Sequence, residues 1–149
     1  MAVSRFYTYP AMFEPGGDGG FVVTFPDVEG AITQGVSRAD AMAQAVDALG
    51  TALLFYAKEG RSLPTPRASH DLPSVTVAPD VAAKLAVLEA FADAGISKSE
   101  LGRRIDRDEK EVRRILDPLH PTKLPLLSAA LAALGRRLVV GVEKAAVAA

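Results

Sequence analysis

Lys98–Asp117, KSELGRRIDRDEKEVRRILD, reads as two short helices joined by a tight turn, in the manner of a helix-turn-helix followed through its recognition helix. Leu101, Ile105, Val112, Ile115 and Leu116 have the spacing that two crossing helices need for a shared apolar seam. Gly102 leaves room where the second helix comes close. Asp106-Arg107 forms the break, since Asp adopts the left-handed conformation a tight turn requires. Asp108 then caps the second helix, with Glu111 three residues on completing a capping box. Around this seam, Lys98, Arg103, Arg104, Lys110, Arg113 and Arg114 have the reach to meet phosphates or base edges. The same pattern also occurs in an ordinary helical hairpin with a solvated basic face, so the rest of the chain decides between the two.

Charge supports a modest nucleic-acid footprint. The net charge is −1 over 149 residues, but residues 1–67 carry five Lys or Arg against seven Asp or Glu, and 68–149 carry twelve against eleven. Lys98–Arg114 holds seven basic and five acidic side chains, a local +2. Each neutralised phosphate adds affinity by counterion release, while Asp106, Asp108, Glu109 and Glu111 oppose it. One copy of this segment is therefore expected to bind DNA weakly.

Upstream, Asp80 is expected to cap a helix reaching Asp93, with Val81, Leu85, Leu88 and Phe91 on its apolar stripe and Gly95 ending it. Downstream, Leu124–Leu134 reads as an alanine- and leucine-rich helix closed by Gly135. Leu138, Val139, Val140 and Val142 give Arg136–Glu143 the composition of a strand. A lone strand needs a partner for its backbone. Val75-Thr76-Val77 is the candidate, in the same chain or a second one. Val75, Val77, Leu138, Val140 and Val142 are accordingly the expected dimerisation residues.

The pattern changes near residue 61. Arg5–Tyr9 and Gly20–Phe25 read as strands around a glycine-crowded hairpin turn at Glu14–Gly20, and Ala31–Gly35 as a third strand. Ser37 caps a helix with Ala41, Met42, Ala45, Val46, Leu49, Leu53 and Leu54 at helical spacing, running to about Lys58 before Gly60. Pro64, Pro66, Pro73 and Pro79 mark the following stretch as a linker. The expected class is α+β. Residues 1–67 form a small antiparallel sheet with a helix, 68–79 a linker with a short strand, and 80–149 a mostly helical domain with a terminal strand.

Composition bounds the function further. With no cysteines, disulfides and thiolate metal sites are excluded. MAVSRFYTYP lacks the charged start and apolar core of a signal peptide, and no run approaches the length of a membrane span. A cytoplasmic setting is the simplest expectation. His70 and His120 are too few and too far apart for a zinc site. His120 with Lys123 lies where a phosphate contact is available, although a loop histidine is more often simply solvated. Gly16–Gly20 precedes a strand, whereas a nucleotide-binding loop follows one and opens a helix.

Phe21-Val22-Val23-Thr24-Phe25-Pro26-Asp27-Val28-Glu29-Gly30-Ala31, then Thr33-Gln34-Gly35, an alanine-rich helix and Leu63-Pro64-x-Pro66 resemble the HicB antitoxin domain. From Val75 through the helix pair to Glu143 the chain is similar to the DNA-binding half of the longer HicB proteins. The resemblance runs from about Phe6 to Val142. It implies a partial ribonuclease H-like fold in the N-terminal half, neutralisation of a HicA-like toxin that cleaves mRNA, and binding to the operator of its own operon. One departure is plain: many helix-turn-helix proteins fill the turn with Gly and an apolar residue, where this chain has Asp106-Arg107.

Asp18, Asp27, Glu29, Asp40 and Asp47 are the carboxylates a metal-dependent nuclease would draw on. None lies inside a strand beside a second acid, and turn or helix-surface chemistry explains Asp18, Asp27, Asp40 and Asp47. No catalysis, metal or cofactor is expected. Lys98, Ser99, Arg103, Arg107, Asp108, Glu109, Lys110, Arg113, Arg114 and Lys123 are expected to meet operator DNA. Eight of the nine aromatics fall within the first 56 residues, and most of them belong to the core. Phe25, Pro26, Asp27 and Glu29, an acidic loop beside an aromatic, are expected to meet a basic toxin. The expected assembly is a homodimer or a dimer of dimers. The competing readings are a stand-alone DNA-binding regulator with a ligand-sensing N-terminal module and, more remotely, a nuclease. A small basic open reading frame beside the gene would favour the antitoxin.

Overall fold

A computed structural model describes residues 5–67 and 71–145 of the chain. His70 lies outside them. The first extended stretch is divided between two sheets: β1 (Thr8–Pro10) and β2 (Met12–Pro15) flank buried Ala11. β3 (Phe21–Thr24) and β4 (Ile32–Gly35) complete an antiparallel sheet in the order β2-β3-β4, with Phe13 opposite Val23 and Val23 opposite Thr33. The glycine turn closes the β2–β3 hairpin through Gly16 N donating to Gly20 O at 2.8 Å, and Asp18 Oδ1 accepts from Gly20 N at 3.2 Å. Arg5–Tyr9 was the expected partner of β3, but β2 takes that place.

α1 (Arg38–Lys58) starts where Ser37 Oγ accepts from Asp40 N at 3.1 Å and Asp40 Oδ2 accepts from Val36 N at 2.9 Å. A Cβ on Gly35 would collide with the backbone of Ala41, so glycine alone allows β4 to run this closely into the helix. Ala41, Ala45, Leu49 and Leu53 are fully buried at intervals of four, which is one helix face. Arg38 stacks over Phe13 with its guanidinium carbon 4.4 Å from the ring centroid.

β5 (Ser74–Thr76) pairs antiparallel with β1, placing Tyr9 opposite Val75. Val77 N donates to Tyr7 O at 3.3 Å, and Ala11 N to Pro73 O at 2.9 Å. Within the chain, then, Val75–Val77 pairs with β1 and not with the C-terminal segment. That segment forms no strand among the described residues 136–145. Its valines lie exposed, Val139 at 73%, Val140 at 62% and Val142 at 98%. β-branched composition does not by itself make a strand, which needs a partner edge for its backbone.

The described residues fall into two compact units. The first runs to Leu53, resumes at Ser62–Ala78 and includes Glu143 onward. The second holds Leu54–Arg61 and Pro79–Val142. In the second, α2 (Pro79–Ala94), α3 (Lys98–Ile105), α4 (Glu109–Ile115) and α5 (Leu124–Ala133) follow one another. Its core joins Ala83, Val87 and Ala90 of α2 to Ile115 and to Leu127, Ala130 and Leu131 of α5. Of the expected α2 stripe, Leu85 is fully buried, while Val81, Leu88 and Phe91 are half-buried. α2 turns its small residues inward because alanines let α5 approach closely. Leu138 packs against this core from the C-terminal segment.

Candidate functional site

Ser97 begins the site: its side chain accepts from Glu100 N at 3.0 Å and caps α3. Ser97-Lys98-Ser99-Glu100 is the S-x-x-E signature of a helix start, a signal the sequence reading passed over. Glu100 then gathers two arginines, with Arg103 donating at 2.6 and 2.9 Å and Arg104 at 3.0 Å. These hydrogen bonds hold the Glu100 carboxyl down to about 2. Arg104 also donates to the Ala133 carbonyl at 3.1 Å, at the C-terminal end of α5, so its guanidinium ties α3 to α5.

α3 ends at Asp106, whose φ of 56° and ψ of 50° are the left-handed conformation expected of it. Arg107 N donates to Gly102 O at 2.9 Å. A Cβ on Gly102 would lie 2.7 Å from the Arg107 carbonyl and 3.2 Å from Val112 Cγ2, so the turn and α4 both press on this position. Asp108 Oδ1 accepts from Glu111 N at 2.8 Å, capping α4 as expected. The Glu111 carboxylate faces Arg107, 3.7 Å from its Nε.

On α4, Val112 and Ile115 are buried, and Glu109, Lys110, Arg113 and Arg114 are exposed on the opposite side. Arg113 pairs with Glu109 at 3.1 Å. Lys98, Lys110, Arg114 and Lys123 are exposed and carry no ion pair among the described residues. Ser99 is exposed on α3. The expected DNA-facing residues are thus on the surface of α3, its turn, α4 and the start of α5, with Arg103 engaged by Glu100.

The residue missed altogether is Lys84. It is 4% exposed, and its Nζ donates to Ile115 O at 2.7 Å, Arg114 O at 3.2 Å and Thr122 Oγ1 at 2.7 Å. From α2 it therefore caps the C-terminal carbonyls of α4, where a cation is favoured. Burial lowers its ammonium from 10.5 to about 8, while Asp117 opposes the shift. A signal was available: Lys84 lies three residues after Val81 and four before Leu88, on an otherwise apolar face.

The acidic loop is tightly wound, with Val28 N donating to Phe25 O at 3.1 Å and Ala31 N to Val28 O at 3.2 Å. Phe25 is 4% exposed and belongs to the core, which corrects its expected role as a contact for the toxin. Pro26 and Glu29 are exposed, and Asp27 accepts from Arg67 N at 3.0 Å. Asp18 and Asp40 are engaged in the turn and helix cap described above. Among the described residues no three His, Cys, Asp or Glu side chains come together as metal ligands. Nor is any helix among them long and apolar enough to cross a membrane.

Fold and site define an α+β protein whose helical unit presents a helix, a tight turn and a second, outwardly cationic helix. The family described as HicB-like antitoxin of bacterial toxin–antitoxin systems matches residues 8–90. Antitoxin HicB of Escherichia coli strain K12 is 39% identical over 87% of this chain and 95% of its own length. Antitoxin HicB 1 of Photorhabdus laumondii is 37% identical over 91% of this chain and 86% of its own. Antitoxin HicB of Pseudomonas fluorescens is 35% identical over 71% and 74%. The chain belongs to the HicB-like antitoxin family, and is an antitoxin of the HicB type.

Proposed function

We propose that this antitoxin neutralises a HicA-like, mRNA-cleaving toxin by direct binding through its first unit. It also represses its own operon by placing α4 in the major groove of operator DNA. The observation that carries the DNA reading is α4 itself. Val112 and Ile115 hold it from behind while Lys110, Arg113 and Arg114 project outward. The toxin reading is supported by the antitoxin relatives, and Pro26, Asp27 and Glu29 are the loop residues proposed to meet it. The protein acts without catalysis, in the cytoplasm.

Self-association gives the second half of the mechanism. A local charge of only +2 suits weak binding by one copy, so a homodimer, or a dimer of dimers, presents two recognition helices to one operator. The exposed Val139, Val140 and Val142 are the proposed contact between copies.

The test is co-expression with a HicA-like toxin, scoring growth and co-purification. It is combined with binding to operator and scrambled duplexes. Growth rescue with co-purification and preferential operator binding is expected. A folded antitoxin that neither rescues growth nor retains the toxin would sink the toxin assignment. Equal affinity for both duplexes would sink the repressor assignment.

A further inference from the structure

A cleft of about 430 Å³ opens in the helical unit beside the last turn of α4, bounded by the 118–123 loop and the first turns of α5. Arg107, Arg114, His120 and Lys123 line it, with Glu111 as the one carboxylate. Three fixed cations therefore face one anion, and Arg107 alone of the three has that carboxylate within ion-pair reach, at 3.7 Å.

The cleft is built rather than incidental. Beneath it lies the buried Lys84, whose Nζ binds Arg114 O, Ile115 O and Thr122 Oγ1, three groups of cleft-lining residues. This ties the α4 wall to the loop wall and adds a positive charge below the surface. α5 begins at the rim with Lys123 in the cap position and no side chain capping it, so its positive dipole end is uncompensated. Ile115, Leu126 and Ala129 supply an apolar side suited to the face of a sugar.

Resting on the DNA-binding reading above, we propose that this cleft seats a phosphate group, presented as a backbone phosphate of double-stranded DNA beside the groove that α4 enters. Two arginines and a lysine lining one concavity offer guanidinium and ammonium donors for a phosphate's several acceptor oxygens. The volume exceeds a bare phosphate and admits the attached sugar. The position is also right for a register contact. Arg107 precedes the cap of α4 and Arg114 sits in its last turn, so a phosphate held here fixes the helix on the duplex without reading bases. A free nucleotide offers the same chemistry, and the experiment separates the two sources.

The full-length protein is titrated with a 20-base-pair duplex of arbitrary sequence over a series of salt concentrations. In parallel it is titrated with thymidine 5′-monophosphate, followed by amide NMR shifts. The variants are Arg114→Gln and Lys123→Gln, with Lys58→Gln as a charge-matched change outside the cleft lining. Each cleft variant is expected to lower the salt slope by about one and weaken duplex binding by up to about eightfold at 0.1 M salt. Lys58→Gln should change neither. If wild type binds no duplex, yet the nucleotide shifts the amides of Arg114, Thr122 and Lys123 and Arg114→Gln abolishes this, the phosphate seat stands and the DNA reading falls. If cleft variants bind duplex with wild-type slope, while Lys110→Ala weakens it, the DNA reading stands and the cleft proposal is overturned. Absence of both duplex binding and nucleotide shifts overturns both.

Discussion

Arg113 and Lys98 are expected to separate the two kinds of DNA contact that the proposed repressor role requires. Arg113 sits one turn from Lys110 on the exposed side of α4, paired at 3.1 Å with Glu109. An exposed pair of this kind contributes about 0–1 kcal/mol, so a guanine edge can displace it at little cost. Arg113→Ala is expected to lose about 1–3 kcal/mol of discrimination between operator and scrambled duplexes. Lys98→Ala should weaken both duplexes alike and flatten the salt dependence by about one unit. Equal losses on both duplexes for Arg113→Ala would remove its base-reading role. Lys84 carries a different signature. Its folded value of about 8 lies below the ordinary 10.5, so between these pH values the unfolded chain binds more protons and stability rises with pH. Below pH 8 both states are protonated and the burial penalty acts in full. Wild type should therefore gain on Lys84→Met by about 3 kcal/mol as pH rises from 8 to 10.5, followed by urea denaturation. A constant difference across that range would mean that Lys84 titrates normally.

At the scale of elements, the turn between α3 and α4 has no slack. Gly102→Ala would put a Cβ 2.7 Å from the Arg107 carbonyl, and about 1–3 kcal/mol of destabilisation is expected, measured by urea unfolding. Unchanged stability would mean the turn can shift. This pair of helices was legible because its determinants are local: Asp106 in the turn, Asp108 at the cap, Val112 and Ile115 on one face. The strands were less so. Tyr7, Tyr9 and Ala11 are all buried, as one alternating strand would require, but the chain changes partner at Ala11, just after Pro10, which alternation alone does not announce. β5 was read as extended, while its partner 68 residues away was beyond a local pattern. Lys84 escaped notice because a lysine on an apolar stripe is ordinarily an exposed interruption. The C-terminal valines misled in the other direction, having strand composition without a strand. If they join two copies, ending the chain at Leu138 should leave a folded monomer in sedimentation experiments, with weakened operator binding. A truncated protein that remains dimeric would exclude them as the contact.

For the whole molecule, the pairing of β1 with β5 bears on where the proposed toxin-binding unit ends. A fragment ending at residue 67 lacks β5 and leaves the backbone of Thr8–Pro10 unpaired on that side, whereas one ending at Ala78 retains it. Residues 1–78 are therefore expected to fold, to co-purify with the toxin and to unfold at higher urea than residues 1–67. Equal stability of the two fragments would make the β1–β5 pairing dispensable, and a folded 1–78 that ignores the toxin would move the toxin surface elsewhere. The same pairing sets a delay during synthesis. At about 5–20 residues per second, the ribosome needs roughly 3–14 s after Thr8 to deliver Thr76, which lies 68 residues on. Until then Thr8–Pro10 has no partner strand, and an antitoxin chain whose synthesis halts within that interval lacks the strand that closes against it.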